Sequence, residues 1–418
     1  MKKVYIESNG CAVLRHETYK ISKYIELNGF EEVNDPKDAN YIIFTGCGVI
    51  DSNENYAIES IKRLYNENKD HAKVIVTGCI PVISNNRISS ISKNIIQIDN
   101  ENMEKLNDYF FTKVKLDEVF YNINPKRHHS FGDPEIVVTK EEIDDLDFIT
   151  EIGKKYKSEK CIEQFRYSTR GRHLWKEKDL FEIRVSYGCT GNCSYCITKK
   201  AIGKFRSVDE EFILLQAKVA KKQGYNRIML MGDEIGAWNE NGKNIVDLIE
   251  DILKIDKKYK IGIRYIQPDI LVRYYERLKP LLASGNIYYF CSALQSGSGR
   301  ILKLMNRNPD ITKFIVCMKD IRKNKYPVFV HTQIIVGFPT ETDEDVLQTI
   351  DALQQMSFDY VTVSPYSKRK GTKSYGLPEV SKETINFRMR IIENLLKLNR
   401  NSIIYTTLRD EFKKEGSK

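Results

Sequence analysis

Three times in the first eighty residues a short apolar run ends on a thiol: VYIESNGC at 4–11, YIIFTGC at 41–47 and KVIVTGC at 73–79. The segments between them repeat their apolar residues at helical spacing. In ETYKISKYIELNGF (17–30), Ile21, Tyr24, Ile25 and Leu27 share one face before Gly29 closes the pattern. In SNENYAIESIKRLYNEN (52–68), Ser52 is the expected N-cap. NIIQID (94–99) supplies a fourth strand pattern. Short apolar strands separated by helices pack as a parallel sheet covered on both faces. Residues 1–120 are therefore expected to form a small doubly wound α/β domain. The C-terminal ends of parallel strands lie along one edge, where ligands bind. Cys11, Cys47 and Cys79 would converge there, however far apart they stand in the chain. Three converging thiolates match a [4Fe–4S] cluster with one iron left open. The alternative is three buried structural thiols.

Residues 121–180 read as a linker, with the polar stretch RHHSFGDPE, the acidic run EEIDDLD and the basic run RYSTRGRHLWKEK. His128 and His129 there read as solvated side chains and not as metal ligands. From 181 the alternation resumes. Strand patterns lie at 181–186, 227–232, 261–266, 287–294, 328–337 and 360–366, with helical patterns such as 209–224 and 341–356 between them. Six such units over 181–375 suit a partial, open (β/α)6 barrel, with its chemistry at the C-terminal strand ends. The tail, 376–418, reads as helix.

The first of these strands runs into SYGCTGNCSYC, a C-x3-C-x2-C loop of Cys189, Cys193 and Cys196. Three thiolates on one tight loop can hold three irons of a [4Fe–4S] cube and leave the fourth open to chelate a substrate. A zinc site would want four ligands. Gly188 and Gly191 give the loop room to turn.

Composition supports a site built on thiols. The chain has 418 residues and nine cysteines, an odd number. It lacks both an apolar run long enough to span a membrane and a signal-peptide pattern. A cytoplasmic protein is expected, and in reducing conditions clustered cysteines serve metals or catalysis more often than disulfides. Cys291 and Cys317 read as packing residues, and Cys161 as incidental. The net charge of +9 is compatible with RNA, although lysines and glutamates are interspersed nearly everywhere.

The cysteine loop at the first strand of a (β/α)6 pattern resembles the radical S-adenosylmethionine superfamily, with Tyr195 at that superfamily's aromatic position. LMGDEIGAW (230–238), LQSGSGRILKLMNR (294–307), IIVGFPTETDED (334–345), YSKRKGT (366–372) and RSVDEE (206–211) are similar, in order and spacing, to the methylthiotransferase family. The resemblance implies an auxiliary [4Fe–4S] cluster on Cys11, Cys47 and Cys79, and a second on Cys189, Cys193 and Cys196. It implies S-adenosylmethionine in two roles, methyl donor and radical source. Tyr195, Gly232, Asp233, Glu234, Gln295, Ser296 and Gly337 are its expected contacts. Gly232, Gly297, Gly299 and Gly337 would allow close approach of an adenosine. A reducing partner such as flavodoxin or ferredoxin is also implied. CAVLRHE after Cys11 and FTGCGVID around Cys47 depart from the family's usual segments.

The resemblance implies insertion of a methylthio group at an unactivated C–H bond. Members acting on tRNA or a ribosomal protein end in a small all-β TRAM domain, and the residues after YSKRKGT read as helix instead. That reading favours a peptide or protein side chain as substrate, such as a ribosomally made natural-product precursor. A tRNA adenosine is the alternative, followed by another two-cluster radical reaction or a non-catalytic iron–sulfur protein.

Overall fold

The computed structural model describes residues 2–119, 180–398 and 403–406. The expected linker, with His128, His129 and Cys161, lies outside the described residues. The chain divides into two compact units.

The first unit is built on a five-stranded sheet in the order Glu31–Glu32, Lys3–Ser8, Tyr41–Gly46, Lys73–Gly78, Ile96–Gln97, with every pair parallel. Val4, Ile6, Ile43 and Ile75 point to one face. They pack against Ile21, Tyr24 and Ile25 of the helix Ala12–Leu27. Tyr5, Ile42, Phe44, Val74 and Val76 point to the other, against Ala57, Ile61 and Leu64 of the helix Asp51–Asn68. Alternation along each strand thus buries both faces, each large side chain contributing roughly 1.5–3 kcal/mol. The expected doubly wound fold is present, with a flavodoxin-like strand order.

Three details differ from the sequence reading. The first helix begins at Ala12, directly after Cys11. Leu27 is 37% exposed, because the apolar stripe ends at Ile25. Ser52 is not the N-cap of the second helix: that helix begins at Asp51, after an extended Ile50, with no side-chain cap.

The second unit carries a parallel sheet of Leu180–Arg184, Arg227–Met231, Lys260–Ile263, Ile287–Cys291, Phe329–Val336 and Tyr360–Pro365, paired in chain order. These are the six strands read from the sequence. A seventh, Ile403–Thr406, pairs parallel with Tyr360–Pro365 beyond the helix Lys382–Leu398. The tail is therefore not all helix. Its Ile-Ile-Tyr-Thr run suits a pleated strand, and it pairs the open edge of Tyr360–Pro365. Among the described residues, no helix is long and apolar enough to cross a membrane.

Candidate metal centres

The register of the first sheet explains the repeated Thr-Gly-Cys. Thr45 pairs with Thr77 and Gly46 with Gly78, while Ser8 pairs with Thr45 on the other side. Cys47 and Cys79 therefore leave adjacent strands at the same level, and Cys11 follows Ser8 by three residues. Lys3–Ser8 and Tyr41–Gly46 are the two strands at which this order reverses direction, the switch point where doubly wound sheets hold ligands. Beneath the cysteines lies a row of buried hydroxyls. Thr77 Oγ1 donates to Thr45 Oγ1 (3.3 Å), and Ser8 Oγ to the Thr45 carbonyl (3.0 Å).

Cys47 and Cys79 are buried, whereas Cys11 is exposed at the N-cap position of its helix. Gly78 has φ +89°, and a Cβ there would stand 2.8 Å from the Gly46 carbonyl oxygen. Both conditions demand glycine. The Asn9 side chain accepts from Cys47 N (2.8 Å) and donates to the Asn53 carbonyl (2.8 Å), fixing the loop. Asn53 Nδ2 lies 3.7 Å from Cys47 Sγ, and Asn100 Nδ2 lies 3.8 Å from Cys79 Sγ, each with the amide donating to sulfur.

In the second unit the cysteine loop is held from outside. Ser194 N donates to the Met305 carbonyl (2.9 Å), Ser194 Oγ to the Leu304 carbonyl (2.7 Å) and Asn306 Nδ2 to the Asn192 carbonyl (2.7 Å). The segment 294–307, read as a family motif, thus works as a clamp on the loop. Gly191 N (3.2 Å) and Gln267 Nε2 (3.7 Å) donate to Cys189 Sγ, and Arg307 Nη1 lies 3.9 Å from Cys193 Sγ. A Cβ on Gly191 would stand 3.2 Å from Cys189 Sγ and 3.8 Å from Cys193 Sγ, so both sulfurs flank one point. Burial pushes the Cys189 thiol up to about 12, against the pull of the Gly191 amide. Binding iron would ionise it.

The donor sets fit iron–sulfur clusters. Each offers three thiols outside any disulfide, with N–H groups aimed at sulfur. Among the described residues, no three His, Cys, Asp or Glu side chains are gathered tightly enough for one metal ion. A cube spreads its thiolates over separate irons. Cys291 and Cys317 are buried in the strand Ile287–Cys291 and the helix Thr312–Lys323.

The other expected contacts divide. Glu234 is buried, accepting from Gly236 N (3.0 Å) and Gln267 N (3.3 Å), and burial raises its carboxyl to about 7. Asp233 ties the entry to the cysteine loop, accepting from Arg184 Nη2 and Gly188 N, both at 3.0 Å. The phenol of Tyr195 lies 3.4 Å from Arg307 Nη1, and its ring meets the edge of Phe338. Gln295 is a non-glycine residue with φ +70°, and its buried Oε1 is without a partner. It is the best-placed polar group in this set for a ligand.

Ser296 is fully buried and spent within its own loop, beside Thr349 Oγ1 (3.3 Å) and accepting from Ser298 N (3.1 Å). The space a side chain would take is filled by Ser186 at Gly232, by Thr349 and the Gln348 carbonyl at Gly297, and by Ile385 at Gly337, while at Gly299 the Pro309 carbonyl crowds it. Protein packing thus accounts for the missing side chain at each of these glycines.

Sequence reasoning missed Gln267 and Arg307 as sulfur neighbours. It also missed a buried relay in which Tyr289 Oη lies 3.0 Å from His331 Nδ1, and His331 Nε2 lies 2.9 Å from Thr362 Oγ1. Burial, with the nearby Arg264 charge, lowers His331 to about 3 and keeps it neutral. Arg307 ends a quoted segment and was findable; the relay joins three strands and carries no local signal.

Comparisons with known proteins agree with this architecture. Residues 3–98 match the model described as "Uncharacterized protein family UPF0004", and residues 183–353 match the Radical SAM superfamily. A probable threonylcarbamoyladenosine tRNA methylthiotransferase from Pyrococcus abyssi is 28% identical over 397 residues, covering 94% of this chain and 84% of the relative. A tRNA-2-methylthio-N(6)-dimethylallyladenosine synthase from Thermotoga petrophila is 25% identical over 403 residues, covering 94% and 81%. Among solved structures, the radical S-adenosylmethionine methyltransferase TsrM from Kitasatospora setae superposes with a TM-score of 0.58. Its identity is 13%, covering 90% of this chain and 77% of that one, a likeness of fold.

Proposed function

Because this chain belongs to the radical S-adenosylmethionine methylthiotransferase family, we propose that it places a methylthio group on an N6-modified adenosine of tRNA, threonylcarbamoyladenosine first among the candidates. The observation that carries the reading is that relatives named for this reaction align with 94% of the chain. It replaces the preference for a peptide substrate, which rested on a tail read as all helix.

When bound, two [4Fe–4S] clusters and S-adenosylmethionine supply the radical and sulfur chemistry that no side chain provides. The chain's own residues do the rest. Cys189, Cys193 and Cys196 are the ligands of one cluster, and Cys11, Cys47 and Cys79 those of the other. Gly191, Gln267 and Arg307 orient and partly neutralise the first set of sulfurs. Gln295 offers an unpaired acceptor. On the strands behind it, half-buried Gln333, Thr362 and Ser364 present polar groups on one sheet face. The neutral His331 holds Thr362 from beneath and fixes which way that hydroxyl points. The net charge of +9 suits a polyanion, and a one-electron donor such as flavodoxin or ferredoxin completes the requirement.

The test supplies reconstituted protein with S-adenosylmethionine, a reductant and either bulk tRNA or candidate peptides. The expected result is a methylthio mass gain on a tRNA nucleoside, with 5′-deoxyadenosine and S-adenosylhomocysteine formed alongside. A mass gain confined to peptide would overturn the substrate. Absence of both small products would overturn the reaction.

A further inference from the structure

We infer that the side-chain amides of Asn53 and Asn100 tune the reduction potential of the N-terminal cluster, by hydrogen-bonding two of its three thiolates. The inference rests on the cluster assignment made above and adds what that assignment leaves open: how the protein sets the electron affinity of that cluster.

Asn53 Nδ2 donates to Cys47 Sγ at 3.7 Å and Asn100 Nδ2 to Cys79 Sγ at 3.8 Å. Both sulfurs belong to buried residues, 4% and 5% exposed, where the low dielectric strengthens a hydrogen bond. The orientation of Asn100 is settled by its second hydrogen, which Nδ2 gives to the Ala201 carbonyl at 2.9 Å. A flipped amide would turn its own oxygen onto that carbonyl and the thiolate, two acceptors with no donor between them. Asn53 is held through its backbone, because its carbonyl accepts from Asn9 Nδ2 (2.8 Å), and Asn9 Oδ1 in turn accepts from Cys47 N (2.8 Å). Asn53 thus reaches its sulfur from the first turn of the helix Asp51–Asn68, and Asn100 reaches its own from beyond the strand Ile96–Gln97.

An N–H aimed at a thiolate sulfur withdraws charge from the cluster. The reduced cluster carries one more electron, so it gains more from that donor than the oxidised one. Hydrogen bonds to sulfur are among the groups' known controls on potential. Both asparagines therefore favour the reduced state and raise the potential. They act through the cysteines and are positioning residues.

The measurement uses the full chain with Cys189, Cys193 and Cys196 replaced by alanine, so that only the N-terminal cluster loads. Its midpoint is read by titration followed by electron paramagnetic resonance, alone and with Asn53→Leu, Asn100→Leu or both. Each single variant is expected to move the midpoint to more negative potential, and the double variant further. An unchanged midpoint in the double variant with iron retained overturns the inference. If a leucine variant fails to load iron, the parent labelled with nitrogen-15 at asparagine decides. Coupling of the reduced cluster to side-chain nitrogen supports the inference, and its absence overturns it. A parent that holds no iron would instead overturn the cluster assignment, and would do so before any asparagine is changed.

Discussion

At Cys189, Cys193 and Cys196 one loop brings all three thiols, and the rest of the unit grips that loop from outside through Leu304, Met305 and Asn306. At Cys11, Cys47 and Cys79 no loop carries more than one thiol, and the pairing of Ser8, Thr45 and Thr77 sets the level of the strand ends from which they leave. The donors differ too. Cys189 and Cys193 lie near a backbone amide, a glutamine and a guanidinium; Cys47 and Cys79 lie near two neutral asparagine amides. A cationic donor stabilises negative charge more strongly than a neutral one. A local site therefore tolerates damage to its surroundings and depends on its own sequence, whereas a gathered site depends on the register of a whole sheet.

The comparison is broken most completely by removing one set at a time. Alanine at Cys11, Cys47 and Cys79 is expected to halve the iron, abolish methylthio product and leave 5′-deoxyadenosine formation. Alanine at Cys189, Cys193 and Cys196 also halves the iron but abolishes 5′-deoxyadenosine. Iron assay and chromatography of the small products check both. Next come two glycines. Gly78→Ala forces a side chain into a left-handed backbone, costing roughly 1–2 kcal/mol before the clash with the Gly46 carbonyl is counted. It should lower the melting temperature and strip iron from the N-terminal set. Gly191→Ala meets sulfur at 3.2 Å, which a small shift relieves, and should spare both iron and stability. Equal losses in the two variants would show that the sites are gathered alike.

A smaller change is expected from Arg307→Leu, which removes the guanidinium near Cys193 and Tyr195. Its expected result is a more negative potential for the radical-loop cluster, measured with the N-terminal cysteines replaced, and slower 5′-deoxyadenosine formation at unchanged iron content. The smallest is Ser194→Ala. It loses the bond to the Leu304 carbonyl but keeps the backbone bond to Met305, for about 1 kcal/mol, read as a modest fall in melting temperature.

The same contrast explains what was legible in the sequence. A loop with three thiols is a local pattern, and it can be read without knowing the fold. For the N-terminal set, the strands were readable because each thiol ends an apolar run, and their parallel pairing is what makes convergence the expectation. Side chains that meet across strands leave no such mark. The His331 relay spans Tyr289, His331 and Thr362, and Asn100 reaches Cys79 from beyond the neighbouring strand Ile96–Gln97. Packing around glycine is hidden for a related reason: at Gly232 and Gly337 the space a side chain would take is filled by Ser186 and Ile385 from elsewhere in the chain. The strand Ile403–Thr406 was hidden by the helical periodicity before it.

The short helix Thr198–Ile202 begins two residues after Cys196, yet residues 197–205 group with the first compact unit, where that helix lies against Ile80–Ile83 and accepts a hydrogen bond from Asn100. Gly203 has φ +93°, and a side chain there would meet the Glu101 side chain. The N-terminal unit is therefore not finished when the chain reaches residue 119. A ribosome must deliver residues 197–205 before that unit is whole, and a gene split between the two sequence-defined halves would leave the first one missing a piece. The order of synthesis thus places the completion of the first site after the radical loop has been made.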